Sequence, residues 1–175
     1  HGSVKRRSRE VEKRLRDAGL SITIDSVGNI VGRWLPASAE PNAEAVATGS
    51  HLDSVPEGGI FDGPLGVYAG LESIRAMQEA GVEPNRPVEV VCFTEEEGQR
   101  FDGGLIGSAV ATGEMSVEEA LSIEDADGVP LGDALADIGY CGEGRADATS
   151  WDSWIELHIE QDERLVSADA AAGVV

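Results

Sequence analysis

The feature that most constrains this chain is a short apolar run that ends in a glycine-rich loop. The run at 45–47 is Ala-Val-Ala, and apolar residues return at helical spacing from Val67 onward. A strand, a loop and a helix in this order form the unit of an open α/β sheet, whose sites lie at the carboxyl ends of strands. The loop between them carries one histidine and three acids, His51, Asp53, Glu57 and Asp62. This composition predicts half of a metal site.

A second run supplies further ligands. Residues 88–93 are β-branched, apolar or aromatic apart from Glu89, which predicts a strand, and they are followed at once by Thr94 and three adjacent glutamates, Glu95, Glu96 and Glu97. Adjacent carboxylates repel, so either a cation lies among them or one of them is protonated or turns to solvent. We interpret Glu95 as the solvated member.

A third run contributes the second histidine of the predicted site. We predict a last strand from Trp151 to Gln161, in which Glu156, His158 and Glu160 share one face because side chains alternate along a strand. His158 is therefore expected to lie among acids.

The motifs together resemble a known family. Gly-Ser-His-Leu-Asp at 49–53, Gly-Gly-Ile-Phe-Asp-Gly at 58–63, Glu-Glu-Glu-Gly-Gln-Arg-Phe at 95–101 and His-Ile-Glu-Gln at 158–161 occur in the family's order, after Asp-Ser-Val-Gly-Asn-Ile at 25–30. The chain is similar to the N-carbamoyl-L-amino-acid hydrolase, allantoate amidohydrolase and β-ureidopropionase group. That group belongs to the dinuclear-zinc aminoacylase and carboxypeptidase superfamily.

The resemblance implies a role for each matching residue. His51 and His158 would ligate one metal ion, Asp62 would bridge two ions, and Glu97 would ligate the second. Imidazole and carboxylate suit borderline divalent metals such as zinc, manganese, cobalt or nickel. The three further assignments are Glu96 as the general base, Asp53 as the acid that orients the His51 ring, and Gln161 as a contact to substrate.

The resemblance also implies that this is an amino-terminal fragment. Relatives take another histidine for the second metal from beyond an inserted dimerisation domain, whereas this chain has only His1, His51 and His158. We therefore interpret 1–172 as part of the catalytic domain and 173–175 as the start of the crossover to a missing dimerisation domain. One firmly held ion is expected in the fragment and two in a complete subunit. The complete protein is expected to be a homodimer, and the fragment alone inactive.

Alternating strands and helices predict an α/β fold. The expected form is a layered α/β/α sandwich with a mostly parallel sheet, zinc-exopeptidase-like and incomplete at its carboxyl end. The Ser-Val-Glu-Glu segment at 116–119 predicts a capping box that opens a short helix. No phosphate-binding or dinucleotide fingerprint is present in the sequence.

The function predicted by the resemblance is metal-dependent hydrolysis of linear C–N bonds in an N-carbamoyl amino acid or ureido acid. Two alternatives stay open. An aminoacylase or dipeptidase of the same superfamily would share the ligands, although the string at 158–161 is typical of the carbamoylase branch. The chain could also be an inactive metal-binding module, because the downstream histidine is absent.

The net charge of the chain limits the classes of molecule that it can bind. The chain holds 13 basic and 33 acidic residues for a net charge of −20, and seven of the basic residues lie in 1–16. Such a surface repels nucleic acid and anionic membranes, so a small-molecule substrate is expected. No apolar run is long enough to span a membrane. The acidity and the unpaired Cys92 and Cys141 predict a reduced, salt-rich cytoplasm of a halophile, the alternative being an ordinarily acidic bacterial enzyme.

Overall fold

The computed structural model describes residues 2–175, with side chains from residue 4 onward. Its helices are α1 (Gly2–Asp17), α2 (Pro64–Glu79), α3 (Ile106–Thr112), α4 (Val117–Ser122), α5 (Leu131–Ile138) and α6 (Arg164–Ser167). Its strands are β1 (Ser21–Ile24), β2 (Ile30–Trp34), β3 (Ala45–His51), β4 (Val88–Phe93) and β5 (Trp151–Ile155), the last preceded by a 3-10 turn (Ala148–Ser150). No described helix is both long enough and apolar enough to cross a membrane.

The five strands form one sheet in the order β1-β2-β4-β3-β5. Strand β3 is parallel to both β4 and β5, whereas β2 is antiparallel to β1 and β4. The α/β class is therefore confirmed, while the sheet is evenly mixed instead of mostly parallel. A short connection from β1 to β2 permits only an antiparallel pair, because a parallel pair needs a long crossover.

Strand β4 lies at the centre of the molecule and is buried along its whole length. Val90 and Cys92 pack into the larger core, which includes Val11 of α1 and Leu71 of α2. Val91 and Phe93 face a smaller core that includes Ala111 of α3, Trp151 and Trp154. Helices therefore cover both faces of the sheet, as the layered arrangement requires.

The register brings the ends of the parallel strands together. His51 of β3 pairs with Phe93 of β4, and both are the last residues of their strands. Helix α2 packs tightly on β3, since a Cβ on Gly66 would lie 2.8 Å from the carbonyl oxygen of Gly49. The loops that follow β3 and β4 consequently leave the same edge of the sheet, side by side.

The last strand is shorter than the sequence predicts. Strand β5 ends at Ile155, whose partner is Thr48, and the predicted strand to Gln161 is wrong beyond that point. The chain then passes over the start of α2, where a Cβ on Gly66 would lie 2.5 Å from the Leu157 carbonyl oxygen. This departure from the sheet carries His158 toward the loop that follows β3.

Two smaller predictions concern the start of α4 and the cysteines. The Ser116 hydroxyl accepts a hydrogen bond from the Glu119 N–H at the start of α4, as a capping box requires. Cys92 is buried and Cys141 is exposed, and both are free thiols.

Candidate metal centre

His51 is the last residue of β3, and its side chain is almost completely buried. Its Nδ1 lies 2.9 Å from the Asp53 carbonyl oxygen and 3.4 Å from Asp53 Oδ1. Because the carbonyl oxygen accepts at Nδ1 and the carboxylate lies beside it, the proton of the neutral ring lies there and Nε2 carries a lone pair. Burial alone would lower the pKa of His51, but Asp53 and then Glu97 outweigh it and raise that pKa to about 8.

His158 presents the same nitrogen to the same space. Its Nδ1 lies 2.7 Å from the Ile159 carbonyl oxygen, which assigns the ring proton to Nδ1. Its Nε2 lies 3.1 Å from His51 Nε2 and 3.5 Å from Asp62 Oδ1. When both rings are neutral, two lone pairs face each other, so the arrangement is favourable only with a proton or a metal ion between the two nitrogens.

Asp62 and Glu97 complete the group. Asp62 is fully buried, and its Oδ2 accepts a hydrogen bond from the Val55 N–H at 2.7 Å, which holds the carboxylate in the loop. Glu97 Oε1 lies 3.6 Å from His51 Nε2. The side-chain amide of Gln161 donates to Asp62 Oδ1 and to Glu97 Oε1, at 2.8 Å in each case.

The donor set fits a divalent ion. One ligand atom from each of four residues lies within 4.8 Å of the others, and these residues are His51, Asp62, Glu97 and His158. Two imidazoles and two carboxylates are the ligands that borderline metals such as zinc prefer. The facing nitrogens, and the hydrogen bonds that hold both rings and the Asp62 carboxylate from behind, are what a preformed cation site needs.

Asp53 connects the two loops at this edge of the sheet. Its Oδ2 accepts a hydrogen bond from the Glu97 N–H at 2.8 Å, while Oδ1 lies beside the His51 ring. Burial would raise the pKa of Asp53, but the His51 ring and the main-chain donors lower it overall. The carboxylate is therefore charged, and it orients one candidate ligand while holding the main chain of another.

Glu96 lies outside the cluster and faces the groove beside it. Its Oε1 accepts a hydrogen bond from the Ser108 N–H at 2.9 Å, near the start of α3. Burial raises the pKa of Glu96, and the hydrogen bond from Ser108 opposes that effect. Glu95 is partly buried and accepts from the Arg100 N–H at 3.4 Å, so it is not simply a solvated side chain.

The groove has a volume of about 520 Å3, and one candidate ligand, His51, is among the residues that line it. His51 and Glu96 line it, and Trp151, Trp154 and Phe93, which contact one another, form an aromatic wall. The two tryptophan rings stack with centroids 5.4 Å apart. A small organic molecule held on this aromatic wall would lie next to Glu96.

The sequence did not indicate the aromatic wall. Residues three apart in a regular strand face opposite sides of the sheet. A register shift opposite Ala45 and Val46 lets Trp151 and Trp154 face the same side, and this shift has no signature in the sequence. The Ser108 N–H was also missed, because a main-chain donor carries no residue-type signal. His1 lies outside the described residues.

The sequence matches the model of peptidase family M28 over residues 29–126. It is 43% identical over 165 residues to an N-carbamoyl-L-amino acid amidohydrolase of Geobacillus stearothermophilus, covering 92% of this chain and 40% of that protein. It is 36% identical to a ureidoglycolate hydrolase of Arabidopsis thaliana, covering 95% and 37%.

Solved structures agree with the sequence matches. A hydantoinase/carbamoylase family amidase from Burkholderia ambifaria superposes with a TM-score of 0.90 at 40% identity, covering 97% of this chain and 41% of that one. The comparisons confirm the resemblance inferred from the motifs. The chain spans about two fifths of the length of the relatives that it matches.

Proposed function

Because the chain belongs to peptidase family M28, we propose that it carries the metal-binding centre of a hydrolase that cleaves linear amide or ureido C–N bonds. The observation that carries this proposal is the meeting of His51 Nε2 and His158 Nε2 at 3.1 Å, beside two carboxylates. Four such ligand atoms at the ends of two strands serve no purpose in packing, whereas three of them, from His51, His158 and Asp62, suit a catalytic ion with a position left for water.

A divalent ion held by these residues would supply Lewis-acid activation of water and of the scissile carbonyl. Glu96 is the base in this proposal, since its carboxylate lines the groove beside His51. The Ser108 N–H holds one oxygen of that carboxylate and leaves the other for a proton. Glu96 would take the proton from the attacking water and return it to the nitrogen as the C–N bond breaks.

Burial supports this role for Glu96. A raised pKa makes the carboxylate a stronger base, and it brings the pKa closer to neutral pH, where a base can both accept and release a proton. Asp53 would act through His51, because its charge keeps the ring proton at Nδ1 and Nε2 free for the ion.

The substrate class is proposed from the relatives and the groove together. Named relatives at 36–43% identity hydrolyse N-carbamoyl amino acids or ureidoglycolate, by their names. The groove beside Glu96 is large enough for a small molecule of that kind. We infer a small-molecule substrate that carries a carbamoyl or ureido group.

A peptide or acyl-amino-acid substrate is the second candidate. The matched family is a peptidase family, and its model covers the residues from Asn29 to past Glu97. The same four ligands and the same base would cleave a peptide bond by the same proton transfers. The identity of the leaving amine therefore decides between the two candidates.

An assay of the complete protein separates them. It would be tested against N-carbamoyl amino acids, allantoate, ureidoglycolate, N-acetyl amino acids and dipeptides, before and after removal of divalent ions with a chelator. We expect turnover of a carbamoyl or ureido acid that disappears with the ion and returns when the ion is restored. Preference for acetyl amino acids or dipeptides would favour the second candidate, and bound metal without turnover of any of them would indicate an inactive module.

A further inference from the structure

The segment Asp25–Ile30 contributes none of the four candidate ligands, yet it contains two polar side chains that are almost completely buried. Asp25 is 3% exposed and Asn29 is 0% exposed. Asp25 Oδ1 accepts from the Val27 N–H and the Asn29 N–H, at 3.0 and 2.8 Å. Its Oδ2 accepts from the Asn29 amide at 2.9 Å. Asp25 therefore orients the Asn29 side chain, which places each end of the amide in a defined direction.

The Asn29 amide joins two elements that are distant in sequence. Its Oδ1 accepts from the Thr94 N–H at 2.9 Å, and its Nδ2 donates to the Gly107 carbonyl oxygen at 3.0 Å. Thr94 directly follows β4, and Gly107 lies in the first turn of α3. One side chain thus ties the end of β4 to the start of α3.

The loop between these two anchor points carries the candidate base and a candidate ligand, Glu96 and Glu97. It is closed at its base, where the Gly107 N–H donates to the Thr94 carbonyl oxygen at 2.9 Å. Higher in the loop, the Ser108 N–H donates to Glu96 Oε1. Because Ser108 follows Gly107 directly, a shift of Gly107 would move the donor that holds the Glu96 carboxylate.

Gly107 shows how closely the parts fit. A Cβ at this position would lie 2.3 Å from Asn29 Oδ1 and 2.5 Å from the Thr94 nitrogen, closer than real Cβ atoms approach. Only a residue without a side chain lets α3 approach the Asn29 amide and the end of β4. The tie between the two elements can therefore be perturbed from either side, at Asn29 or at Gly107.

We propose that Asn29 is a positioning residue, which sets the places of Glu96 and Glu97 by holding the end of β4 against the start of α3. The proposal rests on the proposed function, since it assigns Asn29 a role toward the same site. Among the described residues, Asn29 makes no hydrogen bond to a candidate ligand and acts only through Thr94, Gly107 and the loop between them. A buried amide that served packing alone would stabilise the fold without affecting the site.

The test compares two perturbing variants with two controls in the complete protein. Asn29→Ala removes the tie, and Gly107→Ala forces it apart. Val27→Ala creates a cavity at a fully buried side chain in the same turn. Gly132→Ala adds a methyl group within helix α5, where the nearest atom would lie at an ordinary 3.4 Å. Melting temperature, cobalt(II) affinity with its absorption spectrum, kcat and KM would be measured for each variant, at a temperature where all are folded.

We expect Asn29→Ala and Gly107→Ala to weaken cobalt binding and to lower kcat, each by about tenfold or more, as is typical when a partner behind a ligand is removed. The cobalt spectrum should change, and KM should change less than kcat. Val27→Ala and Gly132→Ala should keep the wild-type cobalt affinity and spectrum, even if their melting temperatures fall as far as those of Asn29→Ala and Gly107→Ala. If Asn29→Ala does not fold, Asn29→Ser serves instead, since it keeps a small neutral hydroxyl beside Asp25 but is too short to join Thr94 to Gly107.

Two outcomes overturn the proposal, and they are distinct. If the Asn29 and Gly107 variants lower only the melting temperature, as Val27→Ala does, Asn29 has a structural role alone while the proposed function stands. If the wild-type protein binds no divalent ion, the proposed function is wrong and this role for Asn29 falls with it.

Discussion

His51 Nε2 and His158 Nε2 lie 3.1 Å apart, although 107 positions separate the two residues in the chain. In each ring the Nδ1–H donates a hydrogen bond to a main-chain carbonyl oxygen. The two Nε2 atoms therefore face the same point. A lone pair opposite a lone pair is unfavourable unless a proton or a cation lies between them. The position of Asp62 and Glu97 beside this point adds negative charge, so a divalent cation is the better occupant.

The first prediction concerns how many ions this chain holds. His51, His158 and Asp62 form a three-ligand set with an open position, whereas a second ion would share Asp62 and have only Glu97 of its own. We expect one divalent ion to bind firmly and a second weakly. Calorimetric titration of the metal-free chain with zinc would measure both, and His51→Ala should abolish the firm site. Two equally tight sites, or an unchanged titration of His51→Ala, would contradict the assignment.

The sequence predicted which residues lie together better than it predicted the path that brings them together. His51 ends β3, and Glu97 lies in the loop that follows β4. Because the two strands are parallel, both residues lie at the same end of the sheet, beyond the carboxyl ends of the strands. His158 reaches the site for another reason, because the chain leaves the sheet after Ile155 and crosses the start of α2. Alternation along a longer strand was the wrong basis for its position, since the pairing with β3 ends at Ile155.

Gln161 shows a second limit of sequence reasoning. The family resemblance assigns it to the substrate, whereas in the structure its amide donates to Asp62 and Glu97. It has φ of 56°, a left-handed conformation that is uncommon for a residue other than glycine. Local backbone conformation of this kind depends on tertiary contacts and leaves no pattern in the residues around it.

The second prediction concerns Gln161. Because its amide donates to two carboxylates that would both ligate ions, removing it should free them, and Gln161→Ala should bind divalent ions about tenfold more tightly. Ion affinity measured by competition with a chelating dye would check this. Gln78→Ala is the matched control, since the Gln78 amide donates to the Ala18 carbonyl oxygen away from the cluster. Unchanged ion affinity together with a raised KM in the complete protein would instead indicate contact with substrate.

The third prediction concerns a glycine behind the His51 ring. A Cβ on Gly63 would lie 2.4 Å from His51 Nδ1, and Gly63 has φ of 82°. Gly59 has nearly the same φ, 79°, but its Cβ would meet nothing within 4 Å. Alanine at either position should therefore cost about 1–2 kcal/mol of unfolding free energy through backbone strain. Only Gly63→Ala should also displace the ring and weaken zinc binding.

Denaturant unfolding and zinc titration of the two variants would separate strain from displacement. A loss of zinc affinity in Gly59→Ala as large as that in Gly63→Ala would mean that loop strain alone controls the site. Equal zinc affinity in both variants and the wild type would mean that His51 is not a ligand.

The fourth prediction concerns salt. With a net charge of −20, acidic side chains repel one another across the surface, and raising the salt concentration screens that repulsion. We expect the melting temperature to rise when KCl increases from about 0.1 M to about 2 M, because the Debye length falls from about 10 Å to about 3 Å or less. A flat or falling melting temperature would contradict adaptation of the surface to high salt.

A variant with fewer charges is the control for this effect. Asp102, Glu114 and Asp137 are exposed side chains, and their replacement by the corresponding amides would remove three negative charges. This variant should melt higher than the wild type at low salt and should gain less from added KCl. A gain as large as that of the wild type would mean that salt acts on burial of apolar surface and not on charge.

The fifth prediction separates the base from the ligand among the three glutamates, and it requires the complete protein. Glu96→Gln keeps the size of the side chain and its bond to the Ser108 N–H but cannot accept a proton. Turnover should therefore fall by about 10²–10⁴, as is typical when a general base is lost, while metal content is unchanged. Glu97→Gln should instead weaken ion binding, because an amide oxygen is a poorer ligand than a carboxylate. Turnover and metal content would be measured on the same samples.

Added metal then distinguishes the two variants. Activity lost in Glu97→Gln should partly return as the ion concentration rises, and activity lost in Glu96→Gln should not, because occupancy is not what limits it. Glu95→Gln is the matched control, since Glu95 accepts from the Arg100 N–H and is not one of the four candidate ligands. If metal rescued Glu96→Gln and not Glu97→Gln, the two roles would be exchanged. If Glu95→Gln lost turnover as Glu96→Gln is expected to, the base would lie one residue earlier in the chain.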